Sequence, residues 1–170
     1  ARNARAFETR ATGTVCRISG WYTSGMENSN RNRYAARYAA EKIIRAAGKP
    51  LQLYAFRIGE KCYRDAEYTL SRIPADLSGL PVIKTAQADK ANAAAEFLEF
   101  ELLRKARVVI AYDAAAKELP RWLRAFEPEK MSVIVNQYGA ERLMNVYGKN
   151  FPVGRVMLGG NLDGAKGNVF

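Results

Sequence analysis

Few side chains in this sequence can do chemistry. Among 170 residues there is no histidine, and the only cysteines are Cys16 and Cys62. A Ser-His-Asp triad, a His-bearing zinc site and a CxxCH haem attachment all need an imidazole, so the sequence excludes all three. Carboxylate chemistry remains open. Asp65, Glu67, Asp89 and Asp113 could supply a cation site or the acid–base pair of a glycosidase. Their spacing matches no calcium loop, however. Asp65 beside Arg64 and Asp89 beside Lys90 read as turn and ion-pair residues. Gly159-Gly160 lacks the Lys-Ser/Thr of a phosphate loop and reads as a turn. The expectation is therefore a protein with no catalytic residue, no cofactor and no metal.

Binding chemistry is better represented. Trp21 and Trp122 are candidate stacking platforms for a sugar ring. Leu119 and Leu123 flank Trp122, which favours an anchor in the core. A second group is Arg31, Tyr34, Arg37, Tyr38 and Arg45, which share one face if the segment is helical. Tyr and Arg combine large contact area with a polar handle, and both are enriched at interface hot spots. A solvated face is the usual reading of such a charge run, but these five are the best docking candidates in the chain.

Those five residues need a helix to gather them. The spacing predicts one over residues 30–47, with Asn28 or Ser29 as N-cap, Gly48 at the left-handed C′ position and Pro50 as the stop. Ala36, Ala39, Ala40, Ile43, Ile44 and Ala47 would form its inner face. From residue 51 the apolar period changes to two. Strands are predicted at 12–18, 51–58, 63–71, 81–85, 96–103, 107–113, 131–137, 142–147 and 154–158. In the fifth of these, Leu98, Phe100 and Leu102 alternate with Glu99 and Glu101. The predicted fold is mainly β, an antiparallel two-sheet β-sandwich with one N-terminal α-helix packed on it. The chain divides into a basic segment, 1–58, and a sandwich, 59–170.

The charge follows that division. The net charge is +10, and residues 1–57 carry 11 basic against 3 acidic side chains, or +8. An acidic partner should therefore meet the N-terminal third. No stretch approaches the length of a membrane-spanning helix. The two cysteines fit a single Cys16–Cys62 disulfide in an oxidising compartment, although two free buried thiols are nearly as natural. Such a bond would contribute about 3–4 kcal/mol by the chain-entropy model.

Residues 59–161 resemble a β-sandwich module of secreted, often polysaccharide-degrading, bacterial multidomain proteins. The likeness begins with Gly59-Glu60-Lys61-Cys62-Tyr63-Arg64-Asp65 and Ile73-Pro74-Ala75-Asp76-Leu77-Ser78-Gly79. It continues through Thr85-Ala86-Gln87-Ala88-Asp89-Lys90, Val109-Ile110-Ala111-Tyr112-Asp113 and Leu119-Pro120-Arg121-Trp122-Leu123. Tyr147-Gly148-Lys149-Asn150-Phe151-Pro152 and Leu158-Gly159-Gly160-Asn161 close it. The resemblance implies an extracytoplasmic accessory module and supplies no active site.

The expected function is a non-catalytic accessory or structural subunit of a periplasmic or extracellular assembly, a leader having been removed. It would dock through its basic N-terminal third on an acidic protein surface; a membrane-associated complex is one suitable host, although the chain itself would span no bilayer. The alternative is a carbohydrate-binding module that holds polysaccharide on Trp or Tyr. Nucleic-acid binding ranks below both, since neither a helix-turn-helix nor an aromatic RNP-type strand is present.

Overall fold

The computed structural model describes residues 15–19, 44–46 and 53–165. Ten strands hold nearly half of them: β1 Val15–Ser19, β2 Ile44–Ala46, β3 Leu53–Ala55, β4 Thr69–Arg72, β5 Pro81–Ile83, β6 Leu98–Leu102, β7 Ala106–Asp113, β8 Glu127–Gln137, β9 Ala140–Phe151 and β10 Gly154–Leu158. All pairings are antiparallel. A seven-stranded sheet runs β3-β5-β1-β7-β9-β8-β4, and a three-stranded sheet runs β10-β6-β2. Three 3₁₀ turns, Ala75–Leu77, Gln87–Ala91 and Arg121–Ala125, are the only helical elements among the described residues.

β7 explains why the core sits where it does. Val108, Ile110 and Tyr112 point to one side of the large sheet, where they pack with Phe100, Leu102, Leu123, Val156 and Leu158. This is the layer between the two sheets. Val109 and Ala111 point to the other side and join Val82, Val133, Val135, Met144 and Val146. Among the described residues, that second layer is closed by loop and turn residues, including Phe56, Cys62, Tyr63 and Leu77, and not by another sheet. A strand buried on both faces should read as a continuous apolar run, and Val108-Val109-Ile110-Ala111-Tyr112 does. The molecule is thus sandwich-like, with one sheet-on-sheet layer and one sheet-on-loop layer.

The N-terminal segment contributes to both sheets. β1 lies inside the large sheet, where Cys16 pairs with Ile83 on one side and Ile110 on the other. β2 corrects the predicted helix at its C-terminal end. Ile44, Arg45 and Ala46 pair in extended register with Leu102, Glu101 and Phe100. The physical reason is an open edge on β6, whose backbone groups need partners, opposite a segment that also alternates apolar-polar-apolar. Tertiary pairing overrides local helix propensity there. Arg45 accordingly stands opposite Glu101 in a sheet and not on a helix face. The rest of the predicted helix lies outside the described residues.

The longest hairpin, β8–β9, turns at Tyr138 (φ 52°) and Gly139 (φ 91°). Positive φ at both central residues marks a type I′ turn, whose twist matches the strands it joins.

Candidate functional site

One end of the sandwich gathers loops that carry three of the seven resembling motifs. The turn Gln87–Ala91 follows β5, the turn Arg121–Ala125 precedes β8, and residues 159–165 follow β10. Backbone hydrogen bonds join them. Gly160 N donates to Ala94 O at 2.8 Å, Leu162 N to Asn92 O at 2.8 Å, and Arg121 N to Asp163 O at 2.7 Å. Gly160 has to be glycine, because a Cβ there would fall 2.4 Å from the Asn92 carbonyl oxygen.

Trp122 sits in this junction, half-buried. Its indole N–H donates to Gly160 O at 3.0 Å, and its ring meets Phe126 edge-on at 5.8 Å. A Cβ on Gly159 would stand 2.6 Å from the indole, so that glycine makes room for it. Together with Thr85, Asp89, Phe97, Leu98 and Asn161, Trp122 lines a shallow cleft enclosing about 20 Å³. That volume admits about one water molecule and no sugar ring. Here Trp122 holds three loops together, with part of one wall left for a surface contact. Trp21, Arg31, Tyr34, Arg37 and Tyr38 lie outside the described residues.

The four candidate carboxylates all have partners in the scaffold. Asp65 accepts the backbone N–H groups of Gln87 at 2.5 Å and Ala88 at 3.0 Å, tying the turn to the preceding loop. Burial alone would raise its pKa, but those two N–H groups, with the N–H of Asp65 itself and the Arg64 charge, together hold the carboxyl below its ordinary value. Asp89 accepts Ala86 N at 3.3 Å and lies 3.9 Å from Arg64. Glu67 pairs with Lys61 at 2.6 Å on the surface. Asp113, at the end of β7, pairs with Arg142 of β9 at 2.8 Å and accepts Ala115 N at 2.8 Å. Asp89 belongs to the turn that Asp65 holds, and the other two lie elsewhere. Among the described residues, no group of three or more Cys, Asp or Glu side chains is placed to hold a metal ion.

Two buried polar side chains escaped the sequence reading. Lys84 is buried at the end of β5, with its ammonium 3.7 Å from the Tyr54 ring centroid and 3.5 Å from Glu60. Burial lowers its pKa, and Glu60 offsets part of that shift. Asp163 is buried in the closing loop. A polar residue ending an apolar run, as in Val82-Ile83-Lys84, was the only signal for the first.

Cys62 is a free, buried thiol on the loop side of the large sheet, among Val82, Val109 and Tyr63. The side chain of Cys16 lies outside the described residues. Burial pushes the Cys62 thiol up to about 12, with Lys84 opposing in part. Its folded value therefore exceeds its unfolded one. The proton it retains stabilises the fold fully below the unfolded pKa of 9.0, and that contribution is lost as pH rises toward about 12. Thiolate is the reactive form, so native protein at pH 8 should leave Cys62 unmodified by iodoacetamide, whereas protein unfolded without reductant should be alkylated there. Peptide mapping reads both states. Rapid labelling of native Cys62 would contradict the burial.

No protein-family model matches the chain, and no curated protein does. A solved structure does match: a β-glucuronidase from glycoside hydrolase family 2, 25% identical, with a TM-score of 0.60. The alignment covers 71% of this chain and 13% of that one, so the likeness is to a small part of a much longer enzyme. It agrees with the resemblance of residues 59–161 at the level of a β-rich module found in carbohydrate-degrading proteins.

Proposed function

We propose that the protein is a non-catalytic accessory subunit of a periplasmic or extracellular assembly, docking through its basic N-terminal third on an acidic surface of another protein. The observation that carries this reading is the use made of the carboxylates. Asp65, Asp89 and Asp113 each hold a backbone N–H or an arginine of the scaffold, which suits a rigid support better than an acid–base pair. The likeness to a small piece of a much longer glycoside hydrolase supports the same reading, as does the concentration of positive charge in residues 1–57. None of the described helical elements is long and apolar enough to cross a membrane.

The test is co-purification from the native fraction. Tyr38→Ala with Arg37→Glu should weaken assembly roughly thirtyfold, since truncating a central interface residue costs on the order of 2 kcal/mol. The charge reversal should also slow association, most visibly at low salt. Normal assembly of the double variant would remove the docking site from this reading.

Carbohydrate binding is the second reading. It is favoured by the partly exposed Trp122 and by the likeness to a small part of a glycoside hydrolase. It expects loss of polysaccharide retention in a Trp122 or Trp21 variant, with little salt dependence.

A further inference from the structure

The exposed aromatic at the tip of the β8–β9 hairpin departs from what its turn prefers. Type I′ turns favour Asn or Asp before Gly, because a left-handed backbone is costly for a bulky side chain. Here that position is Tyr138, at φ 52° and with 75% of its surface exposed. The turn is otherwise built with care, since Asn136 Oδ1 accepts the N–H of Gly139 at 2.8 Å. A strained residue that also leaves an apolar ring in water is a cost to the free protein, and such costs cluster at binding sites.

The ring is held in place. Tyr138 meets Tyr68 nearly perpendicularly, with centroids 5.3 Å apart, and Tyr68 meets the buried Tyr63 in the same way at 5.8 Å. Gln137 Nε2 donates to the Tyr68 hydroxyl at 2.9 Å and fixes that middle ring. An edge-on neighbour covers at most one face of Tyr138, so the other lies open. On the adjoining segments Thr69 is opposite Asn136 and bridges to Lys61, which pairs with Glu67 on the surface. A fixed, open aromatic face is complementary to the C–H face of a pyranose ring, and polar side chains of these neighbouring segments are the nearest donors and acceptors for the sugar's hydroxyls.

We propose that Tyr138 is a stacking platform for a pyranose residue of a glycan, at the tip of the β8–β9 hairpin and separate from the Trp122 cleft. This rests on the glycan-binding reading, the second of the two above, and adds a site to it. The test is calorimetric titration with two probes, neutral cellohexaose and a hexasaccharide of alternating glucuronate and N-acetylglucosamine. At least one should bind wild-type protein, and Tyr138→Phe should retain that binding. Tyr138→Ala and Tyr138→Asn should each weaken it by about tenfold or more. Tyr138→Asn should also melt higher than wild type by roughly 1–3 °C, because it relieves the turn. Greater stability with lost binding is a combination that a purely structural tyrosine cannot give. Unchanged binding in Tyr138→Ala overturns the proposal. If binding instead falls in Trp122→Phe, the glycan reading stands and this site does not. If neither probe binds wild type, both fall.

Discussion

Phe100→Ala is expected to cost the fold about 4 kcal/mol, within the usual range for truncating a buried phenylalanine. Phe100 is fully buried in the middle strand of the small sheet, opposite Val156 on β10 and Ala46 on β2. Its ring belongs to the cluster that joins the two sheets, with Leu102, Val108, Ile110, Leu123 and Leu158. Loss of the ring removes contacts from both layers at once, and the flanking strands are too short to collapse into the gap. Domains of this size are stable by roughly 5–15 kcal/mol, so a large share of the total is at stake. The melting temperature should fall by roughly 8–16 °C, and the urea midpoint should drop with little change in m. A loss below about 1.5 kcal/mol would mean that the sheets do not pack through this residue.

Arg142→Ala should be nearly as damaging, for a different reason. The Arg142–Asp113 pair bridges β9 and β7, with side-chain exposures of only 14% and 5%. Removing the arginine leaves a carboxylate in a place that water reaches poorly, which typically costs 3–5 kcal/mol. Asp113 keeps the Ala115 N–H, so the lower end, about 3 kcal/mol, is the expectation. Replacing both partners by apolar residues should recover part of that loss, because the uncompensated charge is the main penalty. Urea unfolding of the single and double variants measures this. A single variant within about 0.5 kcal/mol of wild type would class the pair with exposed ion pairs, which contribute little.

The contrast between sequence and structure is instructive at particular elements. β10 was legible to the residue, because Gly154 opens it and Gly159 follows its end. β7 was legible because burial on both faces writes a continuous apolar run. The apolar alternation starts β8 at Met131, four residues after its first residue, Glu127. Glu127-Pro128-Glu129-Lys130 looks like a loop, and proline argues against a central strand. The fold tolerates it because β4 pairs only with 134–136, leaving the Pro128 stretch of β8 at an edge. Glu127 and Glu129 find a common partner there in Arg107 of β7, a contact no local pattern encodes. β2 was read as helix because a three-residue strand carries too little signal to compete with alanine-rich helical spacing; only the open edge of β6 decides it.

The candidate site was legible in its parts and not in its arrangement. Trp122 could be weighed as anchor or platform, but the bond from its indole N–H to Gly160 joins residues 38 positions apart. Tyr138 falls in none of the patterns that mark binding residues in a sequence. The signal was present in Gln137-Tyr138-Gly139 between two alternating runs, with an aromatic where Asn is usual.

The claim that the basic N-terminal third holds a protein partner is tested most directly by lysine cross-linking in the native membrane and secreted fractions. Cross-linked peptides are then identified by mass spectrometry. The account predicts partner cross-links at Lys42 and Lys49, to acidic segments of one recurrent protein, and few at Lys105, Lys130 or Lys149 on the sandwich. Cross-links that concentrate on the sandwich lysines and spare Lys42 and Lys49 would contradict it.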